Sequence, residues 1–238
     1  MTALPKPAEK SVAVQTMFSD IAPRYDLLNH LLSLNIDKRW RRRAVDILLR
    51  GNDPAGQYLD ACAGTLDLSV ELAKRPAFTG NVLASDFAFP MLAAGVHKVG
   101  GKRIEVACAD ALKLPVRDNM FDGAMVGFGV RNLASIHEGV RELTRVLKPG
   151  GKLVILEFTT PGWQPFRAFY LTYFTKVLPF VGRVVSKHGN AYTYLPESVL
   201  QFPRPENLGG IMEAAGLRDV RWVTLTGGIA AIHSGVKS

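Results

Sequence analysis

The sequence has little of what marks secreted, disulfide-rich or metal-binding proteins. It contains only two cysteines in 238 residues, and Cys62 and Cys108 make neither a disulfide framework nor a set of metal ligands. The first ten residues, MTALPKPAEK, hold no apolar stretch of the kind found in secretory signals. We therefore expect a cytoplasmic protein with no bound metal, long enough for one sizeable domain.

The loop at 58–68, YLDACAGTLDL, is short of glycine. Its outline is that of a nucleotide-binding loop, with an apolar run, an acid and small residues, but its one glycine is Gly64. Dinucleotide and triphosphate sites need a glycine-rich turn, so that backbone N–H groups can close on phosphates. An acid as early as Asp60 would also repel a pyrophosphate. The loop therefore disfavours a nicotinamide-dependent oxidoreductase and favours a cofactor with a cationic end.

No apolar run is long and uninterrupted enough to predict a membrane span. The most apolar stretch, 163–185, is broken by Arg167 and Lys176 and by two prolines, Pro165 and Pro179. We interpret it as a buried or lid helix. Direct membrane contact is the alternative, and the two are compatible if the helix covers an apolar substrate.

Positive charge is in excess, with a formal net charge of +8. Much of it lies in the run KRWRRR at 38–43, with Arg50 shortly after. The run is either a solvated helix face or a surface that meets anionic lipid with Trp40 at the interface. Clustered aromatic residues on alternating strand positions are missing around it, so nucleic acid is not an expected partner.

From residue 57 onward, short apolar runs alternate with helical stretches. The strand candidates are QYLDAC, NVLASD, RIEVACAD, FDGAMVGF, KLVILEF, DVRWVTL and GIAAIHSGV. The helix candidates lie at 66–75, 90–99, 135–147 and 205–215. Turns are predicted at KPGG (148–151) and, as a tight hairpin, at Gly227–Gly228. This alternation predicts an α/β fold with a parallel, doubly wound sheet at 51–238, preceded by a helical extension at 1–50 that breaks near 33–37.

The carboxyl ends of three successive strand candidates present acids, which are Asp60, Asp86 and Asp110. Ligands of doubly wound sheets bind at the carboxyl ends of the strands. There, Asp86 can accept hydrogen bonds from both hydroxyls of a ribose and Asp110 from an adenine amine, while Ala111 and Leu112 contact the ring. One such acid could be a helix cap, but three in series indicate a nucleoside site. S-adenosylmethionine fits, because it carries an ammonium, a sulfonium and a ribose diol but no phosphate.

Blocks of sequence from about residue 17 to the C-terminus carry a resemblance to a known family. They are MFSDIAPRYDLLNHLLSLNIDKRW, ADALKLPVRDNMFDGAMVGFGVRNL, RVLKPGGKLVILEFTTP, AYTYLPESVLQFP and LTGGIAAIHSGVK. They resemble the ubiquinone/menaquinone biosynthesis C-methyltransferase family, including its FG-x-RN element. The resemblance implies a class I S-adenosylmethionine-dependent methyltransferase (Rossmann-like) fold with a mostly parallel seven-stranded sheet, helices on both faces and an N-terminal helical lid. It also implies methyl transfer to a ring carbon of a prenylated quinol.

Carried over residue by residue, the resemblance implies cofactor contacts at Thr65, Asp86, Asp110 and Ala111. We add Asp60 and Gly64, where the backbone should pass closest to the cofactor, and Tyr25, which either closes over the methionine end or packs in the lid. The chain departs from the family or from the generic loop at several positions, which are Asp37, Cys62, Ala63, Leu66, Gly127 and Thr159.

The FGVRN segment leaves the fourth strand candidate and supplies the predicted catalytic residues. We expect Arg131 to stabilise or help form a phenolate on the quinol and Asn132 to orient the ring. The alternative is structural, with Arg131 paired to an acid and Asn132 capping the helix at 135–147.

The expected acceptor is demethylmenaquinol, which would become menaquinol. A ubiquinone precursor is the alternative substrate, and a non-catalytic scaffold of a quinone-synthesis complex is the alternative function. Expected partners are the prenylated quinol, the inner surface of the membrane through peripheral contact, and a second copy of the chain in a homodimer.

Overall fold

The computed structural model describes residues 9–26, 33, 35–173 and 190–238, and its central feature is one seven-stranded sheet. Strands β1 to β7 are Gln57–Ala61, Asn81–Asp86, Ile104–Cys108, Phe121–Gly127, Leu147–Phe158, Leu217–Leu225 and Ala230–Lys237. The described helices, α1 to α8, are Lys10–Ile21, Ile36–Leu49, Asp67–Ala73, Phe89–Gly95, Ile136–Val146, Gln164–Thr172, Asn190–Gln201 and Pro205–Ala214.

The strand order is β3-β2-β1-β4-β5-β7-β6. Neighbouring strands from β3 to β5 are parallel, whereas β7 runs antiparallel to both β5 and β6. The order reverses between β1 and β4, which leaves a crevice at their carboxyl ends, where ligands of such sheets bind. The predicted α/β fold with a mostly parallel seven-stranded sheet is confirmed.

Both faces of the central strands β1, β4 and β5 are buried, which explains why these strands are almost continuously apolar. In β5, Leu153 and Ile155 belong to one core cluster with α5 and α8. Val154 and Leu156, on alternate positions, belong to the other cluster with α2 and α3. The helices therefore lie on both sides of the sheet.

Helix α2 contains the basic run, and its inward face is part of the core. Trp40, Ala44 and Leu48 recur every four residues and are all buried. The indole Nε1 of Trp40 donates to Thr226 Oγ1 at 3.0 Å, and Arg41 is buried as well. The prediction that Trp40 lies at a lipid interface is therefore wrong. The exposed cations of the run are Lys38, Arg39, Arg42 and Arg43.

The predicted turn at KPGG lies inside the bounds of β5. Leu147 pairs with Phe121 and Lys152 pairs with Gly123, so residues 148–151 bulge out of the ladder opposite a single residue of β4. Gly150 makes this possible with a φ of +80°. The hairpin at Gly227–Gly228 is confirmed, since it joins β6 to the antiparallel β7.

The N-terminal extension divides into two parts with different surroundings. Helix α1 contacts α4, α7 and the 3₁₀ turn Val130–Asn132, at the carboxyl edge of the sheet, whereas α2 contacts β4 and β5. The cover over this edge is therefore α1 together with the residues up to Asp26. The proposed division at residue 50 stays a prediction.

The apolar stretch at 163–185 is described only in part. Helix α6 occupies Gln164–Thr172, and residues 174–189 lie outside the described part of the chain. Within the described helices, none combines the length and apolarity needed to cross a bilayer.

Candidate active site

A cleft lies at the carboxyl ends of β1, β2 and β4 and encloses about 620 Å³, part of it open to solvent. Loops that follow the strands supply one side, including Gly64, Asp86 and Asp110. The N-terminal segment supplies the other, including Phe18 and Tyr25, whose rings meet edge to face with centroids 5.9 Å apart. Residues 9–26 thus form the roof of the cleft.

Asp86 joins two of the loops at the base of the cleft. One carboxylate oxygen accepts from the backbone N–H of Gly64 at 2.9 Å and the other from that of Ala88 at 2.8 Å. Burial raises the pKa of Asp86, although these backbone donors oppose the shift. Each oxygen has two lone pairs, so the carboxylate can still accept hydrogen bonds from a ligand in the cleft.

The glycine-poor loop has the backbone of a glycine-rich one. Cys62, Gly64 and Leu66 all have left-handed φ angles, of +54°, +53° and +68°. This conformation costs roughly 1–2 kcal/mol for a residue with a side chain. Gly129 makes room beside the loop, because a Cβ there would lie 2.4 Å from that of Cys62. Cys62 and Leu66 therefore take backbone angles that glycine adopts without steric cost.

Asp110 and Ala111 lie on the cleft as predicted. Asp110 is exposed, and its carboxylate accepts from the N–H of Leu112 at 2.9 Å, which fixes the turn after β3. Ala111 is buried, and both it and Leu112 line the cleft. The carboxyl ends of β1, β2 and β3 thus bring six positions noted in the sequence to one surface, which are Cys62, Gly64, Asp86, Asp110, Ala111 and Leu112.

Asp60 does not line the cleft, although we predicted a cofactor contact for it. The residue lies within β1, where it pairs with Ala84 and Met125 on the neighbouring strands, and its side chain is fully buried. Its carboxylate accepts from the hydroxyl of Ser69 in α3 at 2.5 Å. Burial raises the pKa of Asp60 to about 7, against the effect of the Ser69 hydrogen bonds. The position inside the strand, one residue before its end, directs the carboxylate into the fold.

Thr65 is not among the residues that line the cleft, and its cofactor contact stays a prediction. The side chain is buried, and its hydroxyl donates to Asp26 in the roof at 2.5 Å instead of facing the cleft. Its neighbour Gly64 does line the cleft, as predicted.

Arg131 forms a buried ion pair, which was the alternative to its predicted catalytic role. Its Nη1 donates to Glu157 at 2.7 Å and to the carbonyl of Phe128 at 2.5 Å, and its guanidinium lies 5.5 Å from the ring centroid of Phe158. Arg131 is 7% exposed and Glu157 1%. The guanidinium therefore lies beneath the cleft wall.

Asn132 lines the cleft beside this pair. Its amide nitrogen donates to the Phe128 carbonyl at 3.3 Å, and its amide oxygen accepts from the hydroxyl of Tyr194 in α7 at 3.1 Å. The predicted alternative that Asn132 caps the following helix is wrong, because Ser135 accepts from the N–H of Glu138 there.

Two roof residues that the sequence did not single out tie α1 to the cleft loops. Lys10 donates to the carbonyls of Arg131 and Leu133 at 3.0 and 2.7 Å, and burial lowers its pKa. Gln15 donates to the carbonyl of Phe87 at 2.6 Å. No local motif reveals such contacts, because each partner is a backbone carbonyl more than 70 residues away. Gly127, a noted departure from the family, also lines the cleft.

The sheet order and the cleft define the fold of class I S-adenosylmethionine-dependent methyltransferases. A solved methyltransferase of this kind from Aquifex aeolicus superimposes with a TM-score of 0.57 and 24% identity, covering 77% of this chain and 83% of the other. A Thermotoga maritima structure described as a possible histamine N-methyltransferase superimposes with a TM-score of 0.66 and 18% identity. The match covers 94% of this chain and 100% of the other. The chain belongs to the ubiE/COQ5 methyltransferase family, whose model matches residues 6–237.

Curated relatives are similar over nearly the whole chain. The demethylmenaquinone methyltransferase of Thermus thermophilus is 50% identical, over 92% of this chain and 99% of the relative. The demethylmenaquinone methyltransferase of Deinococcus radiodurans is 46% identical, over 96% of this chain and 94% of the relative. The ubiquinone/menaquinone biosynthesis C-methyltransferase of a Geobacter species is 44% identical, over 97% and 98%.

Proposed function

We propose that this chain methylates a ring carbon of a prenylated quinol, with S-adenosylmethionine as the methyl donor and demethylmenaquinol as the acceptor. The observation that carries the proposal is the cleft, where Gly64, Asp86 and Asp110 meet in a chain of the ubiE/COQ5 family. Relatives named demethylmenaquinone methyltransferase support this acceptor.

The residues present fit S-adenosylmethionine. Asp86 keeps unused lone pairs for ribose hydroxyls, Asp110 offers an acceptor for an adenine amine, and Ala111 and Leu112 give apolar contact. The left-handed Gly64 lets the backbone approach a ligand in the cleft. The bound cofactor supplies an electrophilic methyl group on a sulfonium, which is already a good leaving group.

The protein's part in the reaction is then alignment, desolvation and control of a proton. A ring carbon becomes nucleophilic when an adjacent hydroxyl is ionised, and such a hydroxyl has a pKa near 10, like tyrosine. Asn132 orients the quinol, because Tyr194 and the Phe128 carbonyl hold both ends of its amide. Arg131 acts through position, since its guanidinium fixes the same carbonyl.

A methylation assay tests this function. The protein is incubated with methyl-labelled S-adenosylmethionine and with reduced demethylmenaquinone or a reduced ubiquinone precursor, and the products are analysed by mass. Label on a ring carbon of menaquinol supports the proposal. Label only on the ubiquinone precursor assigns the alternative substrate, and label on neither favours the non-catalytic scaffold.

Peripheral contact with anionic membrane is part of the proposal. The acceptor is apolar, and Lys38, Arg39, Arg42 and Arg43 form an exposed basic face on α2. Co-sedimentation with anionic but not neutral vesicles, lost when the four are changed to Gln, is the expected result. Equal sedimentation of wild type and variant would remove α2 from the contact. A homodimer stays a prediction.

A further inference from the structure

A cluster of four polar side chains joins the end of the roof to the loop below it. Asp26 accepts from Thr65 Oγ1 at 2.5 Å and forms an ion pair with Lys98. Lys98 also donates to Asp67, the first residue of α3, at 2.7 Å. We call Asp26, Thr65, Lys98 and Asp67 the Asp26 cluster.

The Asp26 cluster lies at a corner of the cleft. Asp26 follows Tyr25 of the roof, and Thr65 follows Gly64 of the loop, and both Tyr25 and Gly64 line the cleft. The hydrogen bond from Thr65 to Asp26 therefore connects the residues next to two cleft positions on opposite sides. At the other end of the roof, Lys10 makes the corresponding connection to the loop after β4.

Among the described residues, the roof buries little apolar surface. Val14 is the one buried residue of α1, and the apolar cluster beneath the roof is small, with Ala22, Ala88 and Met91 as its buried members. Elements with little buried apolar surface open most readily. Hydrogen bonds to a charged group, roughly twice as strong as neutral ones, then carry a large share of the closing free energy.

We propose that Asp26 is a positioning residue that latches the roof over the cleft. While Thr65 and Lys98 hold its carboxylate, Tyr25 and Phe18 stay against the cleft, and binding and release of the ligand require this contact to open. The inference rests on the proposed function in taking that ligand to be S-adenosylmethionine.

Cys62 offers a readout of opening that needs no ligand. Cys62 is partly buried and lines the cleft together with roof residues, and in a Cys108→Ser background it is the sole cysteine of the chain. Full-length protein is treated with N-ethylmaleimide without cofactor, and the rate of Cys62 modification is followed by mass. Losing one charge-assisted hydrogen bond predicts about tenfold faster modification in Asp26→Asn and Thr65→Val.

Two controls separate a latch from a general loss of stability. Thr65→Ser keeps the hydroxyl and should stay near the wild-type rate, as should Asp219→Asn, which removes an exposed ion pair with Arg218. Local opening gives a modification rate that is flat in low urea, whereas global unfolding gives one that rises steeply. Wild-type rates in both Asp26→Asn and Thr65→Val, or rates that rise with urea in them, would overturn the proposal.

Cofactor kinetics then test the link to function. Stopped-flow measurements should show S-adenosylmethionine leaving Asp26→Asn about tenfold faster than wild type, and entering it faster as well, with kcat little changed. An unchanged dissociation rate would refute the positioning role. If Cys62 modification accelerates but wild-type protein binds no S-adenosylmethionine, the latch is supported and the proposed function fails.

Discussion

Breaking the buried pair of Arg131 and Glu157 should destabilise the protein strongly and asymmetrically. Their side chains are 6% and 1% exposed, so removing one partner leaves a charge that water cannot reach. Such a loss typically costs about 3–5 kcal/mol of the free energy of unfolding. A domain has only about 5–15 kcal/mol in total, so Arg131→Met and Glu157→Gln should each be folded but marginal.

The two variants should differ in their pH dependence. A carboxyl group left alone can take up a proton, whereas a guanidinium cannot lose one. In Arg131→Met, the folded state holds that proton more tightly than the unfolded chain, so the variant gains stability as the pH falls from 8 to 5. In Glu157→Gln, the lone guanidinium stays charged and its cost is the same at both values. The double variant, with no buried charge, should recover at least about 2 kcal/mol relative to the sum of the single changes.

Urea unfolding of the four proteins at pH 8 and pH 5, followed by tryptophan fluorescence, measures these effects. Losses below about 1 kcal/mol in both single variants would refute the reasoning, as they would place the pair in the range of exposed ion pairs. The double variant also tests whether Arg131 is needed for turnover. If it is stable, binds S-adenosylmethionine and turns over at the wild-type rate, neither the guanidinium nor its hydrogen bond to the Phe128 carbonyl is needed for the reaction.

Two more predictions concern the cleft, and a third concerns the buried Asp60. Gly64→Ala places a methyl group at the cleft surface and should weaken S-adenosylmethionine binding about tenfold or more by calorimetry, whereas Gly51→Ala, with φ +80° and open space around it, should lose stability alone. Asp86→Asn removes the charged acceptor and should weaken the same binding about tenfold; unchanged affinity would argue against the ribose contact. Burial raises the pKa of Asp60 from an ordinary 3.8 to about 7, so its contribution to stability is full below pH 4 and is lost as the pH rises to 7. Asp60→Asn should therefore show a smaller fall in the free energy of unfolding between pH 4 and 7 than wild type, and parallel curves would contradict this.

Much of the fold follows from patterns that are local in sequence. The run NVLASD is β2 and the run FDGAMVGF contains all of β4, because buried parallel strands are short and apolar. Asp86 reaches the cleft because it ends β2, at the edge where ligands bind. The period of α2 would also have placed Trp40 in the core, since Trp40, Ala44 and Leu48 share one helix face.

What could not be predicted depends on contacts between distant parts of the chain. The side chain of Asp60 is buried in the fold because Asp60 lies within β1, which ends one residue later at Ala61. The partner of Arg131 lies at the end of β5, 26 residues away, and the partner of Thr65 lies in the roof. Strand or helix periodicity carries no information on such pairs.

In the loop YLDACAGTLDL, residues other than glycine adopt backbone angles that are usually taken by glycine. Cys62 and Leu66 adopt the left-handed angles that glycine takes without cost. Leu66 is fully buried, and burying a leucine contributes about 1.5–3 kcal/mol, which offsets a strain of about 1–2 kcal/mol. The missing glycines are therefore weaker evidence against a phosphate than the sequence suggested, because the loop still turns as a glycine-rich one does. The stronger evidence is the carboxylate of Asp86, which accepts the Gly64 N–H and so puts negative charge where a phosphate would need a free donor.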